Sequence, residues 1–254
     1  MSNVPVLWHI KVSHFSEKVR WALDHKRIAH RRRTPLPGAH PVFALWLTRG
    51  AHATLPVLEL DGERIGDSTR IIEAVERRHP EPALYPEDAG RLARALELEE
   101  FFDEQVGPPL RRFVWHEAIK DGEAFAEFAV RQVPGSLPTI PRLAGGFAST
   151  FVRLRYGAAS EDGAETARRQ VLAGLDRLEA ELGSGEYLVG DRFTVADLTA
   201  AALLYPLVLP PEGPTPQLEL PEPFRRFQDS VRERRAFQWV AEMFRRHRGS
   251  GDPS

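Results

Sequence analysis

The feature that most restricts the fold is a change of pattern across His79 to Asp88. The stretch H-P-E-P-A-L-Y-P-E-D carries three prolines and no apolar period, which marks a linker. Ahead of it, short apolar runs alternate with helical stretches; from Arg91 onward nearly everything repeats at helical spacing. A chain of 254 residues divided in this way supports two modest cores. The expected organisation is an α/β unit over 1–80, a linker over 81–90, an all-helical unit over 91–248 and a frayed tail over 249–254.

In the first half, Pro5 to Ile10 reads as a strand, and Phe15, Val19, Ala22 and Leu23 form one face of a helix. Ser13 therefore stands near a helix N-terminus, where unpaired N–H groups and a positive dipole end favour an anion. Two roles are open to it: a plain N-cap, completed by Ser16 or Glu17, or a hydroxyl donor to a bound anion. Ala29 to Arg33 suits an edge strand, given its three arginines, and Val42 to Leu47 is either a short helix or an irregular excursion. Pro56 to Gly66 reads as a hairpin closed by Asp61-Gly62. A proline at Pro56 belongs to a strand start, an edge or a bulge, with a cis bond allowed there. Asp67 or Ser68 then caps a helix that buries Ile71, Ile72 and Val75.

In the second half, Leu92, Leu96, Phe101, Phe102 and Val106 predict one long helix, bent at Gly107-Pro108-Pro109 and continuing over Leu110 to Ile119. Ala164 to Leu182 is amphipathic, with Val171, Leu175, Leu178 and Leu182 on one face. Thr194-Val195-Ala196-Asp197 has the spacing of a capping box and opens the apolar segment Leu198 to Leu209. A last helix is expected from Phe224 to about His247.

Several function classes are disfavoured at once. The chain has no cysteine, which removes disulfides, thiolate metal sites and cysteine nucleophiles, so any thiol chemistry must use a thiol that is not the protein's. Its nine histidines show no metal-ligand spacing, and no metal is expected. With 34 basic against 36 acidic residues, the net charge of −2 recommends neither nucleic acid nor an anionic membrane as partner. The apolar Leu198 to Pro211 stretch falls short of the roughly 20 residues a membrane span needs. The first residues, M-S-N-V-P-V-L-W-H, lack the layout of a secretory signal, which points to the cytoplasm.

S-x-x-S-x-K-V-R-x-A-L over Ser13 to Leu23, L-P-V-L-E-L-D-G over Leu55 to Gly62, Asp67-Ser68 and Y-L-V-G-D-R-F-T-V-A-D over Tyr187 to Asp197 occur in one order. Together they resemble the soluble, cytosolic-type glutathione S-transferase superfamily with a serine-type active site. The resemblance implies a thioredoxin-like N-terminal domain, a C-terminal α-helical bundle, glutathione as co-substrate, a detoxifying transferase activity on hydrophobic electrophiles, and a homodimer. By position, Ser13 stands where that family places its catalytic serine or cysteine. Leu55 and Pro56 would hold the cysteinyl part of glutathione, Asp67 and Ser68 its γ-glutamyl end, with Phe15 and Ser16 close by. Asp67 replaces the family's more frequent glutamate, and Thr54 a frequent long polar residue. These departures keep a second class in play, a binding or regulatory protein that retains the fold without turnover.

The implied chemistry is energetically reasonable. Lowering a thiol pKa by about two units needs a preference for the thiolate of roughly 2.7 kcal/mol. A hydrogen bond to a charged acceptor supplies about 1.5–3 kcal/mol and a helix N-terminus about 0.3–1 kcal/mol. One serine at a helix mouth is enough. The electrophile would sit between the two halves, where Phe102, Phe113, Trp115, His116, Phe151, Arg155 and Tyr156 are candidate contacts, together with His14 beside Ser13.

Overall fold

A computed structural model describes residues 4–35, 39–123, 125, 149–150, 152–154, 156–215 and 220–249. Strand β1 (Val6–Trp8) leads through helix α1 (His14–His25) into β2 (Arg31–Arg33). Helix α2 (His40–Leu47), the hairpin β3 (Val57–Leu60) and β4 (Glu63–Gly66), and α3 (Ser68–Arg78) complete the α/β half. The sheet order is β2-β1-β3-β4; β1 is parallel to β2, antiparallel to β3, and β3 is antiparallel to β4. The arginine strand is thus an edge, where Arg31 and Arg33 stay in water and discourage further pairing while Arg32 turns in to Asp24 at 2.6 Å. Asp61 and Gly62 both take left-handed backbone, φ 50° and 84°, the geometry of the two-residue turn that matches strand twist.

Alternation along the strands sorts side chains to two faces. Leu7 and Leu58, opposite each other in register, bury against Val19 and Leu23 of α1 and Ile71 and Val75 of α3. Val57 and Leu55 pack with Ala44 and Leu47 of α2, and with Trp8 and Ile10. The sheet is therefore covered on both sides, as a thioredoxin-like domain requires.

The helical half comprises α4 (Ala89–Phe101), α5 (Gly107–Ala118), α6 (Glu161–Leu182), α7 (Val195–Val208), α8 (Glu222–Val231) and α9 (Arg235–Met243). Between α4 and α5 the chain makes one widened π turn, Phe102–Val106, closed by the Gly107 amide on the Phe102 carbonyl. Pro108 and Pro109 follow directly; with no N–H to give, they leave carbonyls of the preceding turn without a helical donor, and the helix widens into the π turn there. Every residue of α7 except Pro206 is buried, which suits a helix that is apolar all round and packs on α1, α4, α5 and α9. Its start is fixed by Asp197, whose carboxylate accepts the Thr194 amide at 2.9 Å and the Leu188 amide at 2.7 Å.

Two expectations for this half need correction. Leu96 does not line the buried face of α4: it is 36% exposed, and the stripe is Ala95, Leu98, Phe102 and Val106. The apolar period misled because Glu99 and Asp103 share the inward face, where Lys18 neutralises them. The last helix is not continuous either. It breaks at Arg232 to Arg234, because Glu179 of α6 accepts the Ala236 amide at 3.1 Å while it and Asp176 hold the Arg234 guanidinium, so a new helix start forms there.

Candidate functional site

The sheet register assembles the site. Trp8, Val57 and Gly66 lie in one row across β1, β3 and β4. The turn after Trp8, the Leu55–Pro56 segment before Val57 and the Asp67–Ser68 start of α3 therefore leave the sheet at one end, and the Leu55–Pro56 bond is cis. Ser13, Pro56, Asp67 and Ser68, far apart in sequence, all stand on segments that leave the sheet at that end.

At the α1 mouth the chain turns over Ile10–Val12, closed by the Ser13 amide donating to the Ile10 carbonyl at 3.1 Å. Ser13 is the N-cap, and its Oγ accepts from the Ser16 amide at 3.3 Å. An accepted bond leaves the hydroxyl proton of Ser13 available to donate. Ser13 is half-buried, whereas Ser16 is fully buried and its Oγ accepts from the Ile10 amide at 3.2 Å. The two serines thus divide the work, Ser16 tying the turn from inside and the half-buried Ser13 capping the helix.

At the α3 mouth Asp67 caps the helix, its Oδ1 accepting from the Arg70 amide at 3.1 Å, with left-handed backbone at φ 73°. Ser68 is buried, and its hydroxyl donates to Asp103 over 3.5 Å. Behind it lies a cluster that the sequence reading passed over. Lys18, fully buried, donates to Asp103 at 2.5 Å, to Thr69 at 3.1 Å and to Glu99. Burial holds the Asp103 carboxyl above its ordinary range, and Lys18 opposes that. A second buried set surrounds Arg20, which bonds Glu17, His9 and the carbonyls of Ile10 and Lys11. Charged residues at 17, 18 and 20 amid an apolar helix face were the available signal for both.

The wall facing the α1 mouth comes from the helical half. Phe15 meets Gly107 so closely that a Cβ there would fall 2.9 Å from the Phe15 ring. The Arg111 guanidinium lies 5.2 Å from the Phe15 ring centre and 4.8 Å from that of Tyr156, and Trp115 stacks on Tyr156. His14 is buried, with Nδ1 3.1 Å from the Leu203 carbonyl. Burial first, and the charge of Arg111 second, push its pKa down to about 3, so it is neutral near pH 7.

The other candidate contacts lie elsewhere. Phe102 is in the core, and Phe113 packs on Phe224 and Phe227 beside a cavity of about 350 Å³ between α5, α6 and α8. His116 joins that region to α6 through the Ala158 carbonyl at 2.8 Å and Glu161 at 3.1 Å. Phe151 and Arg155 fall outside the described residues. Among the described residues, no helix is long and apolar enough to cross a membrane.

With this geometry in place, the comparisons with known proteins are consistent on the family. Residues 7–83 match the family model for the glutathione S-transferase N-terminal domain, and 141–229 that for the C-terminal domain. The chain belongs to the glutathione S-transferase superfamily, whose members bind glutathione. A curated relative, the probable maleylacetoacetate isomerase of Caenorhabditis elegans, is 27% identical over 208 residues, covering 81% of this chain and 80% of its own. The solved structure of the β-etherase LigF from Sphingobium sp. strain SYK-6 superposes with a TM-score of 0.61 at 20% identity, covering 94% of this chain and 99% of that one. A glutathione S-transferase from Methylobacterium radiotolerans, solved with glutathione sulfonate, gives a TM-score of 0.51 at 22% identity, covering 93% and 94%.

Proposed function

We propose that the protein is a serine-type glutathione transferase, in which the Ser13 hydroxyl and the N-terminus of α1 stabilise the thiolate of glutathione for attack on a hydrophobic electrophile. The observation that carries this reading is the division of roles between the two serines: Ser13 is half-buried, with its oxygen already accepting from the Ser16 amide and its proton free to donate, while Ser16 is sealed inside the turn. The donor can be neutral. The thiol loses its proton to water and the serine hydroxyl bonds the resulting anion, so no base beside Ser13 is required.

The same reading gives the γ-glutamyl end of glutathione to Asp67 and Ser68, and the backbone beside Pro56 to its cysteinyl part. The electrophile would lie against His14, Phe15, Trp115 and Tyr156. The name of the curated relative suggests a variant of the last step: a thiolate that adds to an activated double bond and departs after rotation would isomerise rather than conjugate, with the same first step. We also infer that the enzyme acts in the cytoplasm as a homodimer, and that its two domains divide over 81–90; sedimentation tests the dimer.

The deciding experiment is ultraviolet titration of glutathione bound to wild type, Ser13→Ala and Ser16→Ala. Loss of the Ser13 donor should raise the bound thiol pKa by about one to two units, equivalent to a hydrogen bond of roughly 1.5–3 kcal/mol. Conjugation at neutral pH should fall and recover partly at higher pH. A curve that Ser13→Ala leaves in place assigns the thiolate to another donor, and retention of glutathione without any lowering of its pKa favours a binding protein.

A further inference from the structure

The last described turn of the chain reaches back to the α1 mouth. After α9, the π turn Phe244–Arg248 packs across α1. Arg248 is buried there, its Nε 2.5 Å from Glu17 Oε1 and its Nη1 2.9 Å from Asp24 Oδ2. The other oxygen of Glu17 takes Arg20 Nε at 2.7 Å. Arg20, 2% exposed, then spends its remaining nitrogens on the active-site turn: Nη1 donates to the Ile10 carbonyl at 3.3 Å and meets His9 Nδ1 at 2.6 Å, and Nη2 donates to the Lys11 carbonyl at 2.9 Å. The Ile10 carbonyl is also the acceptor for the Ser13 amide. A chain of direct contacts therefore runs Arg248, Glu17, Arg20, Ile10, Ser13.

Stability alone does not account for this arrangement. Removing three charged groups from water is costly, and apolar residues of similar volume commonly do as well. What a guanidinium adds is direction, because its planar fork fixes the groups it bridges. Nor is Arg248 needed simply to dock the turn. Phe244 is fully buried, the Trp21 indole donates to the His247 carbonyl at 3.1 Å, and the His247 ring stacks on Phe193 at 4.4 Å.

We propose that Arg248 is a positioning residue for the thiol site: acting through Glu17 and Arg20, it fixes the Ile10–Ser13 turn and with it the aim of the Ser13 hydroxyl. The inference rests on the reading of Ser13 as the thiolate donor, but its mechanical half stands apart from that reading and is tested apart from it. Without Arg248, Glu17 keeps only Arg20, whose guanidinium is then drawn away from the two turn carbonyls.

The experiment compares wild type with Arg248→Met, Arg248→Lys and a control, Arg246→Met, whose partners Glu242 and Glu186 lie at the surface. Amide hydrogen exchange is followed at Ile10 and Ser13, with Leu58 of β3 as reference, alongside titration of bound glutathione. Arg248→Met should speed exchange at Ile10 and Ser13 about tenfold and leave Leu58 unchanged. It should raise the bound thiol pKa by about half a unit and lower kcat more than it raises KM. Arg248→Lys should recover part of both effects, and Arg246→Met should show neither. Unchanged exchange at the turn, or a rise matched at Leu58, overturns the proposal and leaves Arg248 a structural clamp. Should Arg248→Met not fold, the same two criteria applied to Arg248→Lys decide. Should the wild type bind glutathione without lowering its pKa, the thiol-activation reading fails while the exchange data still rule on the turn.

Discussion

The mouths of α1 and α3 perform one local task in different ways. Each opens on a side chain that accepts the amide three residues on, Ser13 from Ser16 and Asp67 from Arg70. Ser13 does so from relaxed extended backbone, φ −80°, whereas Asp67 sits in the left-handed region at φ 73°, a conformation that costs a non-glycine residue about 1–3 kcal/mol. Behind each mouth lies a buried cation, and both cations come from α1. Lys18 and Arg20 are two residues apart, about 200° around the helix, so they face nearly opposite ways. Lys18 is neutralised by Glu99 of α4 and Asp103 of the π turn, Arg20 within its own helix by Glu17. The cation behind one mouth is thus neutralised by the helical half directly, and the cation behind the other is tied to that half at one remove, through Glu17 and Arg248. Comparing them separates what a helix end needs to form from what it needs to be aimed.

Lys18→Met breaks the α3 side most severely. It leaves Glu99 and Asp103 buried without their cation, and such losses run to about 3–5 kcal/mol. Urea unfolding should show it, and a loss below about 1 kcal/mol would mean that water reaches the acids and the cluster is not a dry support.

Acid should distinguish the two mouths next. His9 and His14, beside the α1 mouth, are held at about 3 mainly by burial, far below their ordinary 6.5. The unfolded chain takes up those protons as pH falls through 6.5 and the folded chain does not. Stability is therefore complete above pH 6.5 and declines as pH drops toward 3. His14→Gln should make that decline shallower by up to one proton, about 1.4 kcal/mol per pH unit, in unfolding free energies measured from pH 7 to 5. An unaltered slope would show that His14 reaches solvent and is protonated in the folded protein.

The smallest effect concerns the strain itself. Asp67→Gly should relieve left-handed backbone at the cost of a cap, for a net gain of at most about 1 kcal/mol in melting experiments. Glutathione binding should nonetheless weaken, with KM raised and kcat nearly kept. A fall in kcat at constant KM would move Asp67 from anchoring to chemistry.

Much of this was legible in the sequence because it is local. The Asp61-Gly62 turn, the arginine edge strand, the start of α7 and the serine at the α1 mouth are each specified by a few neighbouring residues. The break at Arg232–Arg234 was not, since its cause is Glu179 on another helix, and the face of α4 was misjudged because counting apolar residues alone leaves out Glu99 and Asp103, which share the buried side. Lys18, Arg20 and Arg248 were missed for the same reason: a charged residue reveals whether it is inside only once its partner is placed.

Gly107 sets how closely α5 approaches the mouth of α1. With only a hydrogen on its α-carbon, it lets the first turn of α5 close on both Phe15 and Leu203. A methyl group at that point would act as a wedge, pressing the Phe15 ring and the Leu203 side chain away from α5. If Ser13 is the thiolate donor proposed above, the breadth of acceptor admitted beside it depends on the bulk at this one backbone position, and tolerance for larger molecules could be retuned there without altering any group proposed to touch sulfur.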